Sequence, residues 1–149
     1  MRKIFKYIII LLPWFLSSLI PIDKTYYNSL TLPFFTPPQI SYAIIWTILY
    51  ILISISIYQT TENKKNITSS YKYSLLTNYL ANQSFQITFF FLKSTFLGFV
   101  SCITTFITSL FLYKDTKEIK EQSAKYLIPY ILFSLFASIL SLSIYLLNI

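Results

Sequence analysis

Histidine is absent from this 149-residue chain, and cysteine, glycine and methionine each occur once. Without histidine there is no serine–histidine triad, no histidine general base and no histidine ligand for haem iron. The single cysteine, Cys102, cannot form an intramolecular disulfide, and one thiol does not make a metal cluster. The sequence therefore predicts no metal site, no required cofactor and no conventional catalytic constellation.

Charge is also scarce. Charged residues make up 11% of the chain, against roughly 25% in typical soluble domains. Hydrophobic residues make up 55%, and the mean hydropathy is +0.61. A soluble domain of this size cannot cover so much apolar surface with so few charges. We therefore expect a single membrane domain, residues 1–149, with lipid as its main solvent.

The apolar runs have the length of membrane helices. A helix needs about 20 apolar residues to cross the hydrocarbon core, whereas a membrane β-strand needs about ten residues of alternating polarity. Pro13 and Pro129 interrupt the first and last runs, which membrane helices tolerate as kinks. The predicted fold class is an all-α integral membrane protein, a five-transmembrane-helix bundle. Its segments are residues 4–20, 39–58, 73–92, 95–113 and 124–147.

The basic residues predict the orientation of these segments. Lys24 and Lys93 alone lie in the connections after the first and third segments. Cytoplasmic loops carry an excess of lysine and arginine, which places the N-terminus in the cytoplasm and the C-terminus outside. The net charge of +7 thus indicates topology, and we expect no nucleic-acid partner. The remaining ten basic residues are Arg2, Lys3, Lys6, Lys64, Lys65, Lys72, Lys114, Lys117, Lys120 and Lys125.

A signal peptide is the alternative for the first segment, since its start is basic and its apolar run is short. Only "FLSSL" is available as a cleavage site, and cleavage there would leave four helices with both ends on one side. We favour the five-helix interpretation.

All five carboxylates lie in the predicted connections between segments. An ion or proton pathway usually shows an acidic residue at membrane depth. Ion-coupled transport is therefore disfavoured. The five are Asp23, Glu62, Asp115, Glu118 and Glu121.

The stretch "LPFFTPPQISYAIIWTILY", residues 32–50, joins a proline-rich loop to the second segment. Pro38 suits the first turn of a helix, where its missing N–H costs nothing, and Pro37 is held out of the helical region by the proline after it. The loop, residues 21–38, is long and rich in Pro, Tyr and Phe, which favours a folded lid over an unstructured link.

Aromatic and amide side chains line facing parts of the second and third segments. Tyr42, Trp46 and Tyr50 follow at four-residue spacing on one helix face. The third segment carries Asn78, Asn82, Gln83 and Gln86, which should face the bundle interior because lipid cannot pair them. We expect these amides to supply the partner that the Trp46 indole N–H needs. Two interpretations remain: contacts that hold helices together, or a pocket for a flat, mostly apolar ligand with polar edges.

Small residues form rows along the fourth segment, which would let another helix approach closely. That helix belongs either to a second copy of the chain or to the same bundle. The rows consist of Gly98, Ser101, Cys102, Thr105 and Ser109.

The order of several motifs resembles that of one membrane family. They are "LPFFTPP" followed by "IIWTILY", then "TNYLANQSF", then "AKYLIPYILFSLFASILSLSIYLLN". Together they are similar to the TspO/MBR family, the tryptophan-rich sensory proteins that include the mitochondrial translocator protein, or peripheral-type benzodiazepine receptor. The resemblance implies a five-helix bundle, usually a homodimer, with a pocket under the loop between the first two helices. It also implies binding of porphyrins and of drug-like benzodiazepine or isoquinoline ligands.

The resemblance further implies which residues bind the ligand. Tyr27, Pro37, Trp46, Asn82, Gln83, Phe85 and Ala137 match pocket positions of the family, and Tyr50 falls at an aromatic position. Phe133 stands where many members have a tryptophan, and Tyr26 replaces a common loop tryptophan. A light-dependent breakdown of protoporphyrin IX, with Trp46 as the catalytic residue, is implied as well.

From these observations and the resemblance we expect a protein of a bacterial cytoplasmic membrane that binds porphyrin more than it degrades it, because Phe133 replaces the usual partner of Trp46. The C-terminal "YLLNI" lacks the basic residue that the family's cholesterol motif needs after Tyr145, so sterol binding through it is not supported. The alternatives are a small-molecule transporter or permease-like protein, and a bundle that only scaffolds partners.

Overall fold

The computed structural model describes residues 2–62 and 67–149, and these form helices joined by short connections. This confirms the predicted all-helical class. In chain order the helices are α1 (Arg2–Leu11), continued by a 3-10 helix (Leu12–Leu19); α2 (Lys24–Ser29); α3 (Gln39–Thr61); α4 (Ser69–Phe85), continued by a π-helix (Gln86–Phe91); α5 (Thr95–Ile119); and α6 (Glu121–Ala124), joined by a 3-10 turn (Lys125–Leu127) to α7 (Ile128–Leu147).

Three helical stretches among the described residues are long and apolar enough to cross a membrane: α3, α5 and the run Glu121–Leu147. These three correspond to the second, fourth and fifth predicted segments, so the predicted number of five spans is not confirmed by this finding. The first stretch becomes a 3-10 helix after Leu11. Helix α4 is the most polar of the long helices because it carries the buried amides Asn78 and Asn82.

The outer surface of the molecule is apolar and much of its interior is polar. Large aliphatic side chains such as Ile4, Leu132 and Ile139 are more than half exposed. Hydroxyl groups such as those of Ser54 and Ser134 are almost completely buried. This distribution is the reverse of that in a soluble protein, where exposed apolar patches are small. The surface is therefore suited to contact with lipid.

Helix α5 is the centre of the packing, since α4 covers one of its sides and α7 another. Helix α1 packs against α3, and the 3-10 helix that follows α1 packs against α4. The N-termini of α4 and α5 are capped by hydroxyl groups: Thr68 accepts a hydrogen bond from the N–H of Tyr71, and Ser94 from that of Leu97. Helix α3 begins at Gln39, and Pro38 is the residue just before it instead of part of its first turn.

The chain changes from an α-helix to a 3-10 helix next to Pro13, and side chains of α4 form hydrogen bonds with backbone groups there. In a regular α-helix the N–H of Ser17 would donate to the C=O of Pro13. Here the Ser17 N–H donates to Gln83 Oε1 at 2.8 Å, and the Pro13 C=O accepts from the hydroxyl of Tyr79 at 3.0 Å. Gln83 Nε2 also donates to the C=O of Trp14. Side chains of α4 thus pair three backbone groups of the 3-10 helix that follows α1.

The lid, residues 21–38, is folded and attached at two places. Asp23 caps α2 by accepting a hydrogen bond from the N–H of Tyr26 at 2.9 Å, and its other oxygen pairs with Lys93 Nζ at 2.8 Å. Lys93 lies in the tight turn between the π-helix and α5, with a φ of 50°. Farther along, the side chain of Asn148 accepts from the N–H of Thr31 and donates to its C=O, both at 2.9 Å.

The small residues of α5 are packed within the bundle. Gly98, Ser101, Cys102, Thr105 and Ser109 are all buried against the neighbouring helices of the same chain. A Cβ atom at Gly98 would lie 2.5 Å from Phe89 Cδ2. Of the two interpretations of these rows, the structure therefore supports close packing between helices of one chain.

Gly98→Ala is expected to destabilise the protein, although alanine favours a helix over glycine by about 1 kcal/mol. The added methyl group forces Phe89 or α5 to move, and overpacking of this kind costs about 1–3 kcal/mol. The measurement is the Tm in detergent. Thr104→Ala, on the exposed side of α5, is the control and should change the Tm little. A Tm for Gly98→Ala at or above that of the wild type would contradict the packing described.

The attachment of Asp23 predicts a pH dependence. Hydrogen bonds from Lys93 and from the Tyr26 N–H hold the pKa of the Asp23 carboxyl below its usual value of 3.8. A lowered pKa stabilises the fold at pH values above the unfolded-state pKa, and this contribution is lost as the pH falls through the folded-state pKa. We expect Asp23→Asn to lower the Tm at pH 7 and to match the wild type well below about pH 4. A Tm difference that persists unchanged at pH 3 would rule out this ion pair as its source.

Candidate ligand-binding site

A cavity of about 380 Å³ lies under the lid. Its walls come from the lid-side halves of α3, α4 and α7, the 3-10 helix after α1, the π-helix and one face of α5. Ligand sites in proteins commonly enclose about 300–1,000 Å³ and are lined mostly by apolar and aromatic side chains. The cavity matches that description in size and in lining.

One wall consists of aromatic rings centred on Trp46 of α3. The Trp46 ring lies 5.4 Å from the ring of Phe133 in an edge-to-face arrangement, and 5.6 Å from the tilted ring of Tyr50. Tyr50 in turn contacts the rings of Trp14 and Phe15. These contacts hold a broad aromatic surface in place at the side of the cavity.

A second aromatic wall is formed by phenylalanines of α4 and its π-helical extension. Phe85 and Phe89 stack with their centroids 5.2 Å apart and their planes at 14°. Phe90 lies edge-on to both, and Tyr27 of the lid contacts Phe90 at 6.3 Å. The wider turns of the π-helix bring Gln86, Phe89 and Phe90 to the cavity together, and such helices are often found at functional sites.

A hydrogen-bonded layer of tyrosine and amide side chains adjoins the cavity, and Tyr50 and Asn82 of this layer line it. Tyr50 donates its hydroxyl hydrogen to Asn82 Oδ1 at 3.0 Å, and Gln83 Nε2 donates to the same oxygen at 3.1 Å. The hydroxyl of Tyr130 donates to Asn78 Oδ1 at 3.1 Å. Asn78 Nδ2 donates to the backbone C=O of Thr105 on α5. The amides of α4 thus face the interior, as predicted, and bond to four other helical stretches.

The prediction that the amides of α4 pair with the indole N–H of Trp46 was wrong. Within the described residues the Trp46 indole makes no hydrogen bond, whereas Asn82 is bonded to Tyr50 and Asn78 to Tyr130. The reason lies in the position of each ring along α3. Tyr50 is one turn further along α3 than Trp46, where its hydroxyl reaches Asn82 Oδ1.

The structure brings most of the expected ligand-binding residues to the cavity. Seven of the nine line it: Tyr27, Trp46, Tyr50, Asn82, Phe85, Phe133 and Ala137. Gln83 and Pro37 are not among the lining residues. Gln83 lies behind the wall, where it pairs the backbone around Pro13. Pro37 precedes the start of α3 by two residues.

Several lining residues were missed by the sequence analysis. Lys24 counted there only as evidence of topology, although it starts α2 at the edge of the cavity. The 3-10 helix contributes Phe15 and Ser17, which apolar periodicity alone does not single out. Two lining residues, Gln86 and Ser141, carry buried oxygens without a hydrogen-bond partner. A buried oxygen without a partner is a site where a ligand N–H or O–H group would be favourable.

The chemistry of the lining suits recognition by shape, stacking and a few hydrogen bonds. No group of three histidine, cysteine or acidic side chains lies together in the part of the chain that the structure describes. Cys102 lies at the cavity wall as a single thiol. The arrangement can therefore hold a flat apolar molecule between the Trp46 wall and the Phe85 wall, without direct metal ligation by three such side chains.

Comparison of the sequence with known proteins matches the chain to one family. The TspO/MBR family model matches residues 7–147. The tryptophan-rich protein TspO of Bacillus cereus is 38% identical over 132 residues, covering 89% of this chain and 86% of the relative. The tryptophan-rich protein TspO of Archaeoglobus fulgidus is 35% identical, covering 84% and 81%, and the Bacillus subtilis membrane protein YtaB is 35% identical, covering 88% and 85%. The chain therefore belongs to the TspO/MBR family of membrane proteins.

Proposed function

We propose that the protein binds porphyrins of the protoporphyrin IX type, and flat drug-like molecules of the benzodiazepine and isoquinoline classes, in the cavity under the lid. The observation that carries the proposal is that two aromatic walls, Trp46 with Phe133 and Phe85 with Phe89, line one cavity together with the amide of Asn82. Flat conjugated rings stack favourably on such surfaces. The unpaired oxygens of Gln86 and Ser141 add acceptors for polar groups of the ligand.

Transport is the less favoured alternative. A transporter needs a path that reaches both ends of the bundle. The residues that line the cavity instead come from the lid and from the lid-side half of the helices, and Tyr50 and Asn82, which line its inner part, are bonded to each other. Binding or sensing at one side agrees better with that shape.

Light-dependent breakdown of protoporphyrin is a second activity that the proposal includes, with Trp46 as the residue in contact with the ligand. Phe133 stands 5.4 Å from Trp46, where many relatives have a second tryptophan. Phenylalanine is harder to oxidise than tryptophan, so we expect breakdown to be slow and binding to be the main activity. The Trp46→Phe variant should bind porphyrin and lose the remaining light-dependent activity.

The proposal also includes an arrangement in the membrane. All five helical stretches span the bilayer of a bacterial cell, with the N-terminus in the cytoplasm and the lid and C-terminus outside. We also propose that the protein forms a homodimer, because the family resemblance implies one. Its interface lies away from the small residues of α5, because these are buried within one chain.

Trp46→Ala should weaken protoporphyrin binding by about thirtyfold, since loss of a central aromatic anchor typically costs about 2 kcal/mol. The measurement is porphyrin titration of the detergent-purified protein, followed by absorbance. Tyr73→Ala is the control, because Tyr73 is exposed on α4 away from the cavity. Trp46→Phe retains most of the stacking surface and should bind nearly normally. Unchanged affinity in a folded Trp46→Ala protein would place the ligand elsewhere.

Reporter fusions test the membrane arrangement. A reporter fused after Ile149 should give an extracytoplasmic signal, and one inserted between α3 and α4 a cytoplasmic signal. The reason is that ten of the twelve basic residues lie on the side of the connection between α3 and α4, which is therefore assigned to the cytoplasm. Cytoplasmic signals from both positions would contradict five spans.

A further inference from the structure

The lining of the cavity contains a positive charge without a negative one. Among the described residues that line it, Lys24 is the only charged side chain. Lys24 is the first residue of α2 and is exposed. Lys24 therefore lies at the edge of the cavity lining with its side chain open to solvent.

The nearest side-chain carboxylate in the sequence, that of Asp23, makes its contacts with other groups. Both oxygens of the adjacent Asp23 are already committed, Oδ2 to Lys93 Nζ at 2.8 Å and Oδ1 to the N–H of Tyr26 at 2.9 Å. Within residues 2–62 and 67–149, Lys24 forms no ion pair. The other four carboxylates belong to the opposite end of the bundle: Glu62, Asp115, Glu118 and Glu121.

We infer that Lys24 binds a carboxylate at the edge of the ligand, so that the site selects flat apolar acids over their neutral esters. The inference rests on the proposed function and adds the charge of the ligand to it. The apolar body of such a ligand enters between the aromatic walls while its carboxylate remains at the edge of the cavity. An ammonium is a compact point charge with three donors, and its attraction to an anion is stronger next to an apolar, low-dielectric wall than in bulk water.

The test compares an acid with its ester. Protoporphyrin IX and its dimethyl ester share the same ring and differ in the charge of the two carboxyl groups. Their dissociation constants are measured for the wild type, Lys24→Gln, Lys24→Arg and Lys114→Gln in one non-ionic detergent at one micelle concentration. The quantity compared is the ratio of the acid and ester affinities in each protein. Because every variant is measured with both ligands, differences in partitioning into micelles cancel between variants.

We expect Lys24→Gln to reduce the preference for the acid by about fivefold, the upper range for a partly exposed ion pair. Its affinity for the ester should not change. Lys24→Arg keeps the charge and should keep the preference. Lys114→Gln removes the same charge from an exposed position on the distant part of α5, and should also leave the ratio unchanged. In the wild type, added salt should lower the preference for the acid through screening.

Two results would overturn the inference while the proposed function stands. One is a preference for the acid that persists in Lys24→Gln or does not respond to salt in the wild type. The other is an equal loss of affinity for acid and ester in Lys24→Gln, which would mean that Lys24 acts on the lid and not on the ligand's charge. If the folded wild type binds neither porphyrin, the proposed function fails and this inference fails with it.

Discussion

The structure depends on one constraint: the polar groups of α4 must find partners inside the bundle, because lipid offers none. Asn78, Asn82 and Gln83 meet that constraint by bonding to groups on every other long helical stretch. These bonds fix the rotation of α4, and the rotation of α4 decides which residues face the cavity. Phe85 and Gln86, within one turn of the amides, line it for that reason.

The same layer explains how an irregular first stretch is accommodated. The 3-10 helix contains Pro13, and Gln83 and Tyr79 pair backbone groups around this proline. The same helix brings Phe15 and Ser17 to the cavity. Gln83, which the resemblance implied as a pocket residue, therefore supports the wall from behind.

The sequence predicted the helix positions and the inward direction of the amides, because hydropathy and helical spacing determine both. It did not predict which aromatic side chain the amides would meet. Tyr42, Trp46 and Tyr50 share one face of α3, and their depth relative to α4 depends on how far one helix is shifted along the other. The role of Gly98 was open for a similar reason, since only packing shows that its missing Cβ makes room for Phe89. In the sequence Lys24 indicated only membrane topology, whereas the fold of the lid places it in the lining of the cavity.

The two attachments of the lid have a consequence for the rate of ligand exchange. The ion pair of Asp23 with Lys93 and the paired hydrogen bonds of Thr31 with Asn148 lie outside the cavity lining. Because none of these four residues lines the cavity, the attachments act on the opening of the lid and not on contacts with a bound molecule. For a ligand bound as proposed, breaking them would add to the barrier for entry and for departure alike, so they would affect its residence time more than its equilibrium affinity. Asn148, which immediately follows α7, makes the C-terminal end of the bundle part of that barrier.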